Sequence, residues 1–222
     1  MLSLILATIL TTAAPVPAAP APADGTYTYA TTLNGAQIEK TAVTVKRDPA
    51  GQIVLSESGS GNMNGRSGSI SDTLTLDQTL APVGYSALAS IADSRSMQSA
   101  LSFSGDVAKQ SGDVSKTYGL AADAKHFVVL DFGPFTGYFM LPAQMQAWND
   151  PPVMAIMPIY AQGMPIAVDK TLTPGRPKAV PQADAEISIK SPVQFTVWYD
   201  PKTLVVDELD VPAEGLSVAR QP

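Results

Sequence analysis

Along most of the chain, apolar residues recur at every second position in short runs, and Gly, Pro, Asn, Asp and Ser separate the runs. A period of two marks strands with one buried face, and those five residues are the ones that turn a chain. Thr26 to Thr32 sets Tyr27 and Tyr29 on one side, after which Asn34-Gly35 predicts a two-residue hairpin turn. Thr41 to Arg47 alternates through Val43 and Val45, Asp48-Pro49-Ala50-Gly51 turns the chain, and Gln52 to Ser58 returns with Ile53 and Leu55. A three-stranded meander follows. Gly59 to Gly68 is rich in Gly, Ser and Asn and reads as a flexible loop or hairpin tip. Strand patterning resumes at Ile70 with Leu74 and Leu76, and continues through 85–91, 97–105, 107–118 and 126–132. The middle pieces are polar on at least one face, as a sheet wetted on one side requires.

One segment departs from this rhythm. After the aromatic-rich connection Phe135, Tyr138, Phe139 and Met140, the apolar spacing changes to four and three at Leu141, Met145 and Trp148. Pro142 sits where a helix can begin, and Asp150-Pro151-Pro152 ends it. The spacing predicts a short amphipathic helix over Leu141 to Asn149, laid across one opening or edge of the sheet. Strands return at 153–160, bent or at an edge because of Pro158, and at 166–172. A Pro-rich link over 174–181 precedes strands at 185–190, 193–200, 204–211 and 216–219. The clearest alternation in the chain is Val193, Phe195, Val197 and Tyr199 against Gln194, Thr196, Trp198 and Asp200. The predicted architecture is mainly β: a single curved antiparallel sheet with a short helix over its concave face.

Composition adds a compartment. Residues 1–23 contain no Lys, Arg, Asp or Glu, open on the mostly apolar run Leu2 to Leu10, and close in an Ala/Pro-rich stretch. That layout predicts a secretory leader, with Ala21-Pro22-Ala23 placing small residues for cleavage before Asp24. The apolar run is too short for a permanent membrane span, for which ~20 residues are needed. The expected product is a single β-rich domain over 24–222, periplasmic or secreted. Its formal charge of -6, with Lys46-Arg47 the only adjacent basic pair, argues against a nucleic-acid partner.

The usual chemistry-bearing constellations are missing from the sequence. There is no Cys, which excludes a disulfide framework, and His126 is the only histidine, so a zinc site would have to be built mostly of carboxylates. Gly65-Arg66-Ser67-Gly68 is the nearest approach to a nucleophile elbow and has the wrong spacing. The densest acidic patch, Asp207, Glu208 and Asp210, reads as a solvated strand edge. No catalytic residue, cofactor or metal is expected. A concave sheet face must nevertheless be filled, and the filler is the segment Phe135 to Trp148. If it moves, Phe135, Tyr138, Phe139, Leu141, Met145 and Trp148 become the candidate ligand-binding residues. Met140, Met145, Met154 and Met157 would supply an adaptable lining.

The opening Gly25-Thr26-Tyr27-Thr28-Tyr29 with Asn34-Gly35, and the late Phe195-Thr196-Val197-Trp198-Tyr199-Asp200, resemble a family of exported bacterial proteins of unknown function. The resemblance implies an open, strongly curved half-barrel whose wider fold is similar to that of periplasmic lipoprotein carriers. In that fold a short helix plugs the concave side, the role that falls here to Leu141 to Asn149. None of Arg66, Arg95 or Arg176 matches the arginine that tethers the plug in those carriers. The expected function is non-catalytic and extracytoplasmic, with an apolar small molecule, a lipid or an envelope protein as partner. A structural or adhesive role through sheet edges, and a carboxylate-dependent hydrolase of envelope material, are the alternatives.

Overall fold

The computed structural model describes residues 19–63, 65–92, 96–131, 133–166, 169–171, 185–189 and 194–222. Eight strands form a first meander: β1 (Gly25–Leu33), β2 (Ala36–Arg47), β3 (Ile53–Met63), β4 (Arg66–Leu76), β5 (Pro82–Ile91), β6 (Met97–Ser104), β7 (Val107–Gly112) and β8 (Lys116–Gly119). The expected Asn34-Gly35 turn joins the first two, with both residues at positive φ, 51° and 83°. A middle segment supplies β9 (His126–Val129), the helix α1 (Thr136–Trp148), β10 (Val153–Met157) and β11 (Gln162–Ile166). The last strands are β12 (Asp169–Thr171), β13 (Ala185–Ile189), β14 (Phe195–Tyr199), β15 (Val206–Val211) and β16 (Leu216–Arg220).

β16 pairs antiparallel with β1, so the late meander continues the early one in a single sheet ordered β12-β13-β14-β15-β16-β1-β2-β3-β4-β5-β6-β7-β8. All thirteen strands are antiparallel to their neighbours, and the two end strands do not meet. The expected fold class, mainly β with one large open antiparallel sheet and a short helix, is what is found. The end strand β8 is only four residues long, which limits the backbone that edge offers for pairing with another chain.

Four local readings are corrected. In the Gly/Ser/Asn-rich stretch, residues 59–63 and 66–68 are strand rather than loop: β3 and β4 stay paired from Ile53↔Leu76 out to Met63↔Arg66. β2 and β5 flank that hairpin for most of its length, and their ladder hydrogen bonds override the low strand propensity of Gly and Ser. The run 107–118 is two strands, separated after Gly112, whose φ of 112° bends the chain. β10 is not an edge strand; it lies between β9, to which it is parallel, and β11 in a separate three-stranded sheet, and Pro158 begins a 3-10 turn beyond its end. β15 is also interior, between β14 and β16. The predicted link 174–181 lies outside the described residues, as do most of the proposed leader, Arg95 and Arg176.

The helix differs as well. It starts five residues before the predicted Leu141 and encloses Pro142, and every residue from Thr136 to Met145 is buried. Burial on all sides through Met145 identifies an element inside the core rather than an amphipathic cover. It packs against β3, β4, β9 and β15, filling part of the hollow of the large sheet. Gly137 permits the approach to β9: a Cβ there would lie 1.7 Å from the Val129 carbonyl oxygen. The helix ends on Asn149 in the left-handed region, with the Asp150 N–H donating to the Met145 carbonyl at 2.9 Å. Two side-chain bonds tie its last turns to the β4–β5 turn, from Gln144 to the Leu80 carbonyl at 3.0 Å and from Trp148 to the Thr79 carbonyl at 2.8 Å.

Candidate functional site

The strand register sorts the inward-facing residues of the first meander into rows that cross the sheet. One row runs Val45, Leu55, Leu74, Tyr85, Leu101. These side chains are all buried in the main core together with Phe139, Met140, Leu141 and Met145 of α1. Two positions further along the strands the row reads Val43, Glu57, Asp72, Ala87, Ser99. The next is Thr41, Gly59, Ile70, Ala89, Met97, and beyond it stand Glu39, Gly61, Gly68 and Ile91. Large side chains thus give way to a carboxyl pair and then to glycine, alanine and a few aliphatics. Where they do, the hollow is unfilled, and a cavity of about 230 Å³ remains.

That cavity is walled by Ile38, Ile70, Ile91 and Met97 from the first meander, Leu209, Val211, Leu216 and Val218 from β15 and β16, and Phe135, Tyr138 and Ile159 from the middle segment. Ile91 and Met97 are 41% and 42% exposed, so the cavity reaches the surface beside them. Its polar lining includes Glu39, Glu57, Asp131 and, from the exposed start of β4, Arg66.

Glu57 and Asp72 stand directly opposite each other on β3 and β4, each only 4% exposed. Like charges in that position repel, and among the described residues no cation bears on either carboxyl. Asp72 Oδ1 meets no N–H or O–H donor, and the two buried carboxyls stand side by side across the strand pair. Two carboxyl groups so placed cannot readily both ionise, and one proton held between them removes the repulsion. Burial is the main force pushing both groups above the usual carboxylate range; the charge of Asp72 raises Glu57 further. The remaining acceptors hold the start of α1. The Phe135 N–H donates to Glu57 Oε2 at 2.5 Å, and the Thr136 hydroxyl donates to Asp72 Oδ2. The positive end of the helix dipole therefore faces the carboxyl pair.

The other wall carboxyls also accept from neutral donors. Asp131 accepts from the Tyr85 hydroxyl at 3.1 Å and from the Ile159 N–H at 3.0 Å. Glu39, raised by burial, is partly offset by a bond from the Thr41 hydroxyl.

The structure divides the six predicted ligand-binding residues. Phe135 and Tyr138 line the cavity. Phe139, Leu141 and Met145 are fully buried in the helix-filled part of the core, away from the cavity walls. Trp148 is at the opposite end of α1, stacked on His126 with ring centroids 4.1 Å apart. Glu57 and Asp72 were not singled out from sequence; the available signal was two acidic residues at inward positions of alternating strands, hidden by the loop reading that followed Ser58. The Asp207–Asp210 patch is not a solvated edge: Asp207 and Glu208 are 2% and 1% exposed. Asp207 pairs with Arg220 at 2.9 Å, and Glu208 accepts from the Ser217 hydroxyl at 2.8 Å. Among the described residues no group of three potential metal ligands converges, and no helix is long and apolar enough to cross a membrane.

No protein-family model matches the sequence, and no curated protein does. Solved structures do. A crystal structure from Brucella abortus, described as a beta-barrel-like protein of the domain of unknown function DUF1849, superposes with a TM-score of 0.53 at 10% identity. The match covers 92% of this chain and 97% of that one. A DUF1089 family protein from Pseudomonas aeruginosa gives a TM-score of 0.49 at 9% identity over 80% of this chain and 90% of its own. The first likeness establishes a shared β-barrel-like fold across almost the whole of both chains.

Proposed function

We propose that this is a non-catalytic extracytoplasmic protein that holds a small apolar ligand, or the apolar end of a larger one, in the cavity beside α1. The observation that carries this reading is the cavity itself, apolar over most of its wall and opening beside two exposed aliphatic side chains. Its 230 Å³ exceeds the ~150 Å³ in which an apolar cavity takes up benzene. A substituted ring or the end of an acyl chain fits, and a complete lipid does not. The uncharged leader-like segment at the start of the sequence supports export.

A carboxylate-dependent hydrolase is less well supported by the same geometry. Of the carboxyl pair only Glu57 is on the cavity wall, and its Oε2 already accepts from the Phe135 N–H. An adhesive role through the β8 edge is weakened by its length of only four residues.

Native mass spectrometry of gently purified protein, with fluorescence titration of N-phenyl-1-naphthylamine and its displacement by 1-octanol, tests the proposal. A co-purified apolar molecule or saturable, displaceable binding is expected. Ala89→Leu, which fills the cavity from the sheet side, should weaken probe binding at least tenfold while the protein remains folded. An empty protein that binds neither compound, or an Ala89→Leu variant that binds like the parent, would overturn the assignment.

A further inference from the structure

We propose that Glu57 and Asp72 form a proton-operated latch on this cavity: while they share a proton the start of α1 is clamped to β3 and β4 and the cavity keeps its shape, and loss of that proton releases Phe135 and weakens ligand binding. The inference deepens the ligand-binding reading and rests on it for its second half.

The geometry links the two carboxyls to the cavity in one step. Glu57 is in the wall and so is Phe135, and the bond between Glu57 Oε2 and the Phe135 N–H joins them. Thr136, the first helical residue, is held in parallel by Asp72. A latch on Phe135 and Thr136 controls where Tyr138, another wall residue in the same turn, can sit. Removing the shared proton would leave two negative charges directly across a strand pair, both out of water, with nothing to join them.

Among the described residues no cation bears on the pair to offset the second charge. Those that do bear on it are Glu39 from β2, Tyr85 from β5, and Phe135 and Thr136 at the start of α1, while Asp131, from the segment before α1, accepts from the Tyr85 hydroxyl. Glu39 adds further negative charge, and Arg66 stands at the exposed beginning of β4. Desolvation, mutual repulsion and Glu39 all oppose the second ionisation; the helix N-terminus favours the first.

The test follows two readouts from pH 5 to pH 9 in the parent, Glu57→Gln and Asp72→Asn: amide hydrogen exchange over Phe135 to Phe139, and the dissociation constant for N-phenyl-1-naphthylamine. A Gln at 57 still accepts from the Phe135 N–H and donates to Asp72, so it mimics the protonated latch at every pH. The parent should lose at least tenfold protection at Phe135 and Thr136, and at least tenfold probe affinity, as pH rises. Both variants should change less than twofold. A parent whose protection is independent of pH, after correction for intrinsic exchange, overturns the latch, as does a variant that keeps the parental pH dependence. If the probe binds at no pH, the ligand reading fails, and the exchange data still decide whether the latch exists. Asp72→Asn carries the comparison should Glu57→Gln fail to fold.

Discussion

The concave face has two ends built from the same strands, and they have been finished in opposite ways. Toward the β4–β5 turn, the inward row from Val45 through Leu55, Leu74 and Tyr85 to Leu101 carries large apolar side chains, and the helix completes the core. Toward the β3–β4 turn, the same strands present Gly59, Gly61, Gly68 and Ala89, and the helix begins too late to cover them. The carboxyl pair stands on the border. Strand pairing is uninterrupted across it, so the ladder sets the shape of the sheet and side-chain volume alone decides which part of the hollow is filled. Core that is closely packed resists change of volume, whereas a wall facing empty space does not.

The sharpest way to break this contrast is on the filled side. Phe139 is completely buried, and its ring lies against Tyr27, Tyr29 and Phe135 at centroid distances of 5.2, 6.2 and 6.4 Å. Phe139→Ala should cost about 4 kcal/mol of unfolding free energy, measured by urea denaturation. A loss below about 1 kcal/mol would mean that the helix is not part of a continuous core.

A matched pair in β4 compares the ends directly. Leu74 and Ile70 point to the same face of one strand, four residues apart; Leu74 is fully buried, and Ile70 lines the cavity and is half-buried. Leu74→Ala should destabilise by about 3 kcal/mol and Ile70→Ala by about 1 kcal/mol. Equal losses in the same denaturant series would show that the cavity is not open space in solution.

This division was only partly legible in the sequence. Period-two alternation placed the strands because burial of one face leaves a direct mark on the side chains. The register across thirteen strands leaves none, so the rows could not be assembled, and the glycines of β3 and β4 read as loop because their small size is a consequence of neighbours on other strands. The helix was found at Leu141, Met145 and Trp148, where its spacing is regular. Its first turn was missed because Thr136 to Met140 is buried on all sides, and a buried turn has no polar face to reveal a period. Phe135 and Tyr138 came to the cavity from the aromatic-rich connection; Phe139, beside them in sequence, points instead into the packed core. Glu57 and Asp72 are joined by pairing, which sequence separation conceals.

The border itself responds to pH. Both carboxyls are held above their ordinary range in the folded protein, so the unfolded chain gives up its protons first. The stability they confer is complete below the usual carboxylate values and is lost as pH rises through the raised ones. The melting temperature of the parent should therefore fall relative to that of Glu57→Gln between pH 5 and pH 9, by less than Phe139→Ala lowers it. Parallel melting curves would remove the shared proton from the account.

The filled end has its own titrating group with the opposite sign, which allows the two ends to be separated in one experiment. His126 stacks on Trp148 at the far end of α1, and partial burial lowers its pKa from 6.5, with the charge of Asp77 opposing. A group depressed in the folded state stabilises above its unfolded value and loses that contribution as pH falls. His126 is only part-buried and solvent screens it, so its effect should be the smallest of those considered. His126→Phe keeps a ring against Trp148 and cannot take up a proton; it should flatten the acid side of the melting profile and leave the alkaline side unchanged. Glu57→Gln should do the reverse. A His126→Phe variant that also alters the alkaline side would show that the two ends of α1 respond as one unit, and the border drawn by the carboxyl pair would then divide volume but not stability.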